Sequence, residues 1–352
     1  MDNSNPIEHL IRPNIRAMKP YSSARDEFKG SASIWLDANE NAFGSPLDTD
    51  YHRYPDPMQW KVKNKLSQIK GVPAAHIFLG NGSDEAIDLL FRAFCEPGKD
   101  NVLLVPPTYG MYEVSASINQ VAIKEVPLNP AFQLDLEGIA EAIDEHTKLL
   151  FLCSPNNPTG NSLDRADVET ILANFKGIVV IDEAYINYSQ NRSFVQELTE
   201  YSNLVVLQTL SKAWGLAALR LGMAFSSLPI INVLNKIKPP YNINQATQDL
   251  VLEALERLDE VNAWTCQTVL ERQKLVSELE SISSVLKVYP SDANFVLVKT
   301  VDASKLYAHF VQAGIVVRNR SQVQLCEGCL RVTVGTPEEN QHILTQWKAW
   351  TA

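Results

Sequence analysis

Polar groups of three kinds stand directly after apolar runs in the middle of this 352-residue chain: the amides Asn156 and Asn157 in "SPNNPTG", the carboxylate Asp182 in "DEAY", and the ammonium Lys212 in "LSK". Asn157 and Asp182 are 25 residues apart and Asp182 and Lys212 are 30 apart, spacings that suit successive strand and helix units. In an open parallel sheet the ligand sits beyond the carboxyl ends of the strands, so the three groups are expected along one edge. A lone lysine at a strand end commonly packs its stem on apolar surface and leaves its charge in water. Only its company argues for more.

A fourth element supplies an anion site. "IFLGNGSDEAIDLLFRAF", residues 77–94, reads as a strand, a glycine-bearing turn and a helix, and the first amides of such a helix point at whatever lies over the turn. Position 85 is Glu rather than Gly, and no Gly-Lys-Ser/Thr follows, so the turn is neither a dinucleotide fingerprint nor a P-loop. With Ser83 as N-cap the segment also reads as an ordinary capping turn. Arg220, eight residues after Lys212, offers a fixed positive charge to the same anion.

A lysine, a carboxylate, donors to an oxygen and a phosphate cradle are together what pyridoxal phosphate requires. The lysine condenses with the cofactor's carbonyl, and the carboxylate keeps the pyridine nitrogen protonated so that the ring accepts electrons. Such a lysine has to be partly neutral, which desolvation and a cationic neighbour favour.

The elements that must position these groups follow from the apolar pattern. From Val72 to about Leu221 short apolar runs alternate with turns and helical stretches, which predicts βαβ units. The runs "NVLLVPP" (101–107), "KLLFLCSP" (148–155), "GIVVIDEAY" (177–185) and "NLVVLQTLSK" (203–212) have the continuous Val, Ile and Leu content of strands buried on both faces. Residues 250–280 read as long helix. "ANFVLVKT", a helix in "DASKLYAHFVQAG", "GIVVRN", "CLRVTVGT" and a last helix from Pro337 follow. The expected fold class is α/β, a large domain with a mainly parallel sheet flanked by helices plus a smaller α+β domain. The expected boundaries are 1–45 for an N-terminal arm with part of the small domain, 46–255 for the large cofactor-binding domain and 256–352 for the small C-terminal domain.

Composition narrows the partners. A formal net charge of −10 gives no general attraction for nucleic acid or anionic membrane. No stretch approaches a membrane span and the N-terminus has no apolar signal core, so a cytoplasmic protein is expected. Five cysteines fit a reducing compartment, and the single C-x-x-C, Cys326 and Cys329, lacks the second pair of a zinc ribbon. No metal is expected.

"SPNNPTG", "DEAY", "SKAWGLAALRLG" and "GNGSDEAI" together resemble the fold-type I pyridoxal-phosphate aminotransferases, class I/II, over nearly the whole chain. "YPDP" (54–57), "RPNIRAMKPYSSAR" and "CLRVTVGT" narrow the resemblance to the branch that acts on histidinol phosphate. The resemblance implies that Lys212 holds the cofactor and later moves a proton between Cα and C4′. It implies that Asp182 pairs with the pyridinium nitrogen, that Asn157 and Tyr185 hold the ring's 3-oxygen, and that Tyr109 stacks on the ring. Gly82, Ser83 and Asp84, with Ser211 and Arg220, would bind the cofactor phosphate. Tyr54 would reach that phosphate from a neighbouring subunit, which implies a homodimer with shared active sites. Arg331 would receive the substrate carboxylate or phosphate, with Arg318 and Tyr21 as helpers, and Tyr241 would contribute from the partner chain. "SKAWGL" departs from the commoner "SKAFAL" without touching the lysine.

The implied reaction moves an amino group between glutamate and imidazole-acetol phosphate, giving 2-oxoglutarate and histidinol phosphate for histidine biosynthesis. Motifs around the cofactor are common to aromatic aminotransferases and threonine-phosphate decarboxylases, so both stay open at this point. A regulatory protein that keeps the fold without catalysis is opposed by the joint presence of Lys212, Asp182, Asn157 and Arg220.

Overall fold

The computed structural model describes residues 7–21, 30 and 32–351. Strands β1 (Ile77–Asn81), β2 (Asn101–Leu104), β3 (Ala122–Glu125), β4 (Thr147–Cys153), β5 (Ile178–Asp182), β6 (Leu204–Thr209) and β7 (Leu221–Ser226) form one sheet in the order β1-β7-β6-β5-β4-β2-β3. Strand β7 is antiparallel to both of its neighbours, and the other pairs are parallel. A second, antiparallel sheet has the order β10-β11-β9-β8, built from β8 (Val285–Val288), β9 (Phe295–Thr300), β10 (Arg318–Asn319) and β11 (Cys329–Thr333). The chain is α/β, with a large sheet flanked by helices and a smaller one beside it.

The continuous apolar runs become two-faced strands. Leu150 and Leu152 of β4, Val179 and Ile181 of β5, and Leu204 and Val206 of β6 point into one core, which the helices Trp60–Lys70, Arg165–Asn174 and Gln245–Leu255 cover. Their neighbours Leu149, Phe151, Ile178, Val180, Val205 and Leu207 point into the opposite core, under the helices Gly82–Phe94, Met111–Ile118 and Leu228–Ile237. Strand side chains alternate between faces, so both must be apolar when both are covered.

Three features depart from the expectation. The reading stops at Leu221, where β7 begins; its six residues continue an apolar stretch, and their reversed direction has no signature in composition. Strands β3, "AIKE", and β8, "VLKV", are short and half-exposed at sheet edges and lack the apolar run that marks the others. The expected long helix is two, Gln245–Leu255 and Leu258–Glu280, separated at Glu256 and Arg257.

Within the expected 1–45 arm, residues 7–16 pack on the large sheet's helical layer. Ile7 is buried in the core beneath the Gly82–Phe94 helix, the Arg12 amide donates to the Ala93 carbonyl at 2.9 Å, and the Arg12 guanidinium pairs with Glu96 at 3.2 Å. Ser22, Ser23, Ala24 and Arg25 of the "KPYSSAR" motif lie outside the described residues. The helix Leu258–Glu280 joins the two sheets: Val261 packs in the large core, Leu275 and Leu279 in the small one. Between them the buried Arg272 donates to the Ala293 carbonyl at 2.6 Å.

Glycine is required at one close approach. Gly222, in β7, lies against the turn after β1, where a Cβ would stand 2.2 Å from the Gly82 carbonyl carbon and from the Ser83 nitrogen. Both contacts are backbone, which cannot rotate away. Gly222→Ala is expected to destabilise the chain by about 1–3 kcal/mol, the usual cost of overpacking, and to shift the Gly82 turn. Chemical denaturation of the two proteins side by side checks the magnitude.

Candidate active site

Asp182 is the last residue of β5, and its carboxylate, 2% exposed, sits at the carboxyl end of the sheet. Tyr112 Oη donates to it at 2.7 Å and the Ala184 amide at 3.0 Å. Burial pushes this carboxyl above its ordinary value, while the Tyr112 and Ala184 bonds and the Lys212 charge pull the other way. Tyr112 is itself fully buried, with its ring stacked on Phe151 of β4 at 4.6 Å.

Lys212 lies three residues beyond β6 on a loop that its own backbone staples. The Ser211 amide donates to Thr209 Oγ1 at 3.0 Å, and the Leu210 and Leu216 amides donate to the Leu221 and Leu210 carbonyls, each at 3.0 Å. The Lys212 carbonyl accepts from Gly215 at 3.1 Å. This fixes where the side chain starts, and Lys212 Nζ stands 5.5 Å from the centre of the Tyr185 ring. Desolvation lowers its pKa first and the Arg331 charge second, against Asp182 and Asp84. Both leading effects favour the neutral amine.

The anion cradle forms where β7 begins. Arg220 adopts left-handed backbone (φ 54°), and its carbonyl accepts from the Gly82 amide at 2.6 Å. The guanidinium is braced by the Ala217 carbonyl at 3.1 Å and Ser211 Oγ at 3.5 Å, with Asp84 at 3.7 Å. Gly82 has φ +70°, and a Cβ there would stand 2.6 Å from Arg220 Nη2. The helix starts at Gly82, so Ser83 is a first-turn residue and not the N-cap. Asn81 takes that place without a side-chain cap, and Glu85 Oε2 accepts from the Asn81 amide at 2.5 Å. Tyr109 Oη donates to Asp84 at 3.2 Å.

The wall facing the cradle comes from the small sheet. Arg331 Nη1 donates to Asn157 Oδ1, and the Arg331 guanidinium lies 5.1 Å over the Phe295 ring. Arg318 is the register partner of Arg331 across β10 and β11. The adjacent asparagines divide: Asn157 faces this wall, whereas the buried Asn156 donates to the Pro107 carbonyl at 2.8 Å and Thr159 Oγ1 at 2.7 Å, holding the loop.

One cavity of about 650 Å³ is lined by Gly82, Ser83, Asp84, Tyr109, Asn157, Asp182, Tyr185, Ser211, Lys212, Arg220, Arg318 and Arg331. Three residues expected at the site are not in its lining. Tyr54 and Tyr241 stack on each other (4.5 Å, 15°) in a separate depression, and Tyr21 is 72% exposed. Tyr112, which supports Asp182, and Arg320, in the cavity wall, escape the sequence reading. Arg320 stands two residues after Arg318, so strand alternation was the signal for it. Tyr112 has no such signal.

The donor set fits pyridoxal phosphate. The Gly82 turn, Ser211 and Arg220 would cradle a phosphate, and a Cβ at Gly82 would fill part of that space. Lys212 and Asp182 line the same cavity, where a ring's carbonyl and its nitrogen would meet them.

The model of the aminotransferase class I and II family matches residues 32–346. A Parabacteroides distasonis protein named histidinol-phosphate aminotransferase is 56% identical over 342 residues, covering 97% of this chain and 98% of its own. A Cytophaga hutchinsonii protein of the same name is 54% identical over 344 residues, covering 98% and 99%. Among solved structures, the Sinorhizobium meliloti histidinol-phosphate aminotransferase in complex with pyridoxal-5′-phosphate superposes with a TM-score of 0.76 at 24% identity, over 89% of each chain.

The buried Asp182 generates a pH-dependent expectation for the cofactor-free protein. A carboxyl raised in the folded state binds its proton more tightly there than in the unfolded chain, so ionising it subtracts stability. That penalty is absent below the ordinary value of 3.8 and complete above the raised one. Asp182→Asn is therefore expected to stabilise the cofactor-free protein at neutral pH, by on the order of 1 kcal/mol or more. The gain should shrink as pH falls toward the ordinary carboxylate value. Thermal denaturation of both proteins across pH measures it.

Proposed function

This chain belongs to the aminotransferase class I and II family, and on that footing we propose that it transfers the amino group of glutamate to imidazole-acetol phosphate, forming histidinol phosphate for histidine biosynthesis. The observation that carries the reading is the single cavity that gathers Lys212, Asp182, the phosphate cradle and an arginine wall. Full-length relatives above 50% identity support the substrate. The five unpaired thiols fit a reducing cytoplasm.

When bound, pyridoxal phosphate supplies a carbonyl that condenses with amines and a protonated ring that accepts the electron pair left by the departing α-proton. The chain's residues do the rest. Gly82, Ser83, Asp84, Ser211 and Arg220 would hold the phosphate end, and Tyr109 would pack on the ring. Asp182, whose anionic form Tyr112, Ala184 and Lys212 favour against its burial, would hold a proton on the ring nitrogen. Asn157 and Tyr185 donate toward the ring oxygen. Lys212, with its lowered pKa, takes the proton from the substrate's α-carbon on Nζ and returns it to the neighbouring carbon. Arg331, with Arg318, receives the substrate's anionic group by a planar fork that suits carboxylate and phosphate alike.

Tyr54 and Tyr241 serve a second copy of the chain in this reading. Tyr54 is half exposed and shares the depression with Tyr241, outside the cavity of its own chain. The active form is then a homodimer with shared sites. The chain divides as an arm over 1–45, a cofactor domain over 46–255 and a small domain from 256 onward.

The direct test incubates cofactor-loaded protein with histidinol phosphate and 2-oxoglutarate and measures glutamate. Preference for phenylalanine, or carbon dioxide release from threonine phosphate, would replace the proposed reaction with a rival one. In the same assay Arg331→Lys keeps the charge and loses the fork, so kcat/KM for histidinol phosphate and for glutamate should each fall on the order of tenfold to a hundredfold. Histidinol without its phosphate should be a poor substrate already and be harmed less.

Shared sites make a second prediction. Tyr54→Phe and Lys212→Ala proteins, each impaired alone, should regain activity when unfolded and refolded together, because mixed dimers place both lesions in one site and leave the other intact. No recovery in mixtures shown to contain mixed dimers would assign Tyr54 to its own chain.

A further inference from the structure

The β10 and β11 hairpin has one arginine more than glutamate requires. Arg318 and Arg331 are directly opposite across the strands, so their side chains leave the same face. Arg320 lies two residues beyond Arg318, which returns its side chain to that face. All three line the cavity that holds Lys212. The ladder holds Arg320 firmly, its amide donating to the Cys329 carbonyl at 2.9 Å and its carbonyl accepting from Val323 at 2.8 Å.

Like charges opposite one another on strands are destabilising, and each guanidinium in this trio presses on the next. Burial and the Arg320 and Arg318 charges push Arg331 down, and burial and Arg318 push Arg320 down. Among the described residues no carboxylate figures in the electrostatics of either. Arg320 Nε is shielded from solvent and has no hydrogen-bond partner, a costly state for a charged donor.

We infer that Arg320 is a specificity-determining residue whose guanidinium, in the cavity wall, takes an oxygen of the substrate's phosphate monoester. The inference rests on the reading that glutamate and a phosphate monoester both use this wall. Glutamate brings two carboxylates, which Arg318 and Arg331 match one to one. A phosphate monoester concentrates nearly two charges and three strong acceptor oxygens at a single point, so a third guanidinium on the same wall matches charge that a singly charged carboxylate does not carry. The surplus guanidinium therefore discriminates between the two half-reactions.

Arg320→Gln and Arg320→Lys, both loaded with cofactor so that the cradle is filled, test this. For Arg320→Gln the KM for histidinol phosphate should rise about tenfold or more, as for a lost charge-assisted hydrogen bond, while kcat/KM for glutamate stays within about twofold. Arg320→Lys should recover part of the loss. Inorganic phosphate should raise the melting temperature of the loaded wild type more than that of Arg320→Gln. Without added anion Arg320→Gln should melt above wild type, since the like-charge crowding is relieved. Equal loss with both substrates, or an unchanged phosphate-induced shift, would overturn the role of Arg320. A wild type that fails on histidinol phosphate would overturn the proposed reaction and, with it, this inference. Wild-type activity with unaltered selectivity in Arg320→Gln would sink the inference alone.

Discussion

The hydrogen bond of 2.6 Å from the Gly82 amide to the Arg220 carbonyl joins the start of a helix to the start of the reversed strand, and the site depends on that junction. Strand β7 lies between β1 and β6, so the turn after β1 and the Lys212 loop after β6 meet across it. Because Gly222 has no side chain, the Gly82 turn can rest on β7 backbone to backbone. Arg220 is then turned, at the cost of left-handed backbone, toward the helix start and Ser211. The proposed phosphate cradle is thus a by-product of how one strand enters the sheet.

Around that junction the molecule keeps charge that folding alone would not keep. A carboxylate raised by burial, an ammonium lowered by desolvation and three guanidinium groups on one wall each oppose stability locally. The sheet beneath them is buried on both faces by Val, Leu, Ile and Phe, each worth about 1.5–3 kcal/mol when fully buried. Such a core tolerates a few unfavourable groups at its edge. Tyr112 shows how the two layers meet: its ring belongs to the core through Phe151, and its hydroxyl belongs to the site through Asp182.

The large sheet was legible because its inner strands are apolar on both faces, and the site because its polar groups follow those strands. Strands β3 and β8 carry no such mark, because their pairing depends on neighbours and not on their own composition. The reversal of β7 leaves none either, because strand direction is set by the connection and the packing around it. Asn156 and Asn157 are the same residue type side by side, and only tertiary contacts separate the structural one from the one facing the cavity. Arg320 was hidden for a different cause: the "GIVVRNR" pattern was legible, yet only the register of Arg318 with Arg331 and the shared cavity bring its two arginines together with Arg331.

The segments bearing Tyr54 and Tyr241 are tied to each other as firmly as any part of the site. Glu40 accepts from the Arg53 guanidinium at 2.6 Å and the Tyr54 amide at 2.7 Å. The buried Lys238 ammonium donates to the carbonyls of Pro57 and Pro240, at 2.8 and 2.7 Å, linking the "YPDP" turn to the "PPY" turn. Below them Lys63 is pushed down to about 8 by burial and by Lys238, the mark of a second buried cation close to the first. Ordering two turns this tightly costs conformational entropy, and the result within one chain is a pair of stacked tyrosines that line a depression apart from the cavity of Lys212. A rigid aromatic pair with a polar tip is well suited to completing a site from outside. The proposed dimer gives that rigidity a use which a single copy of the chain does not.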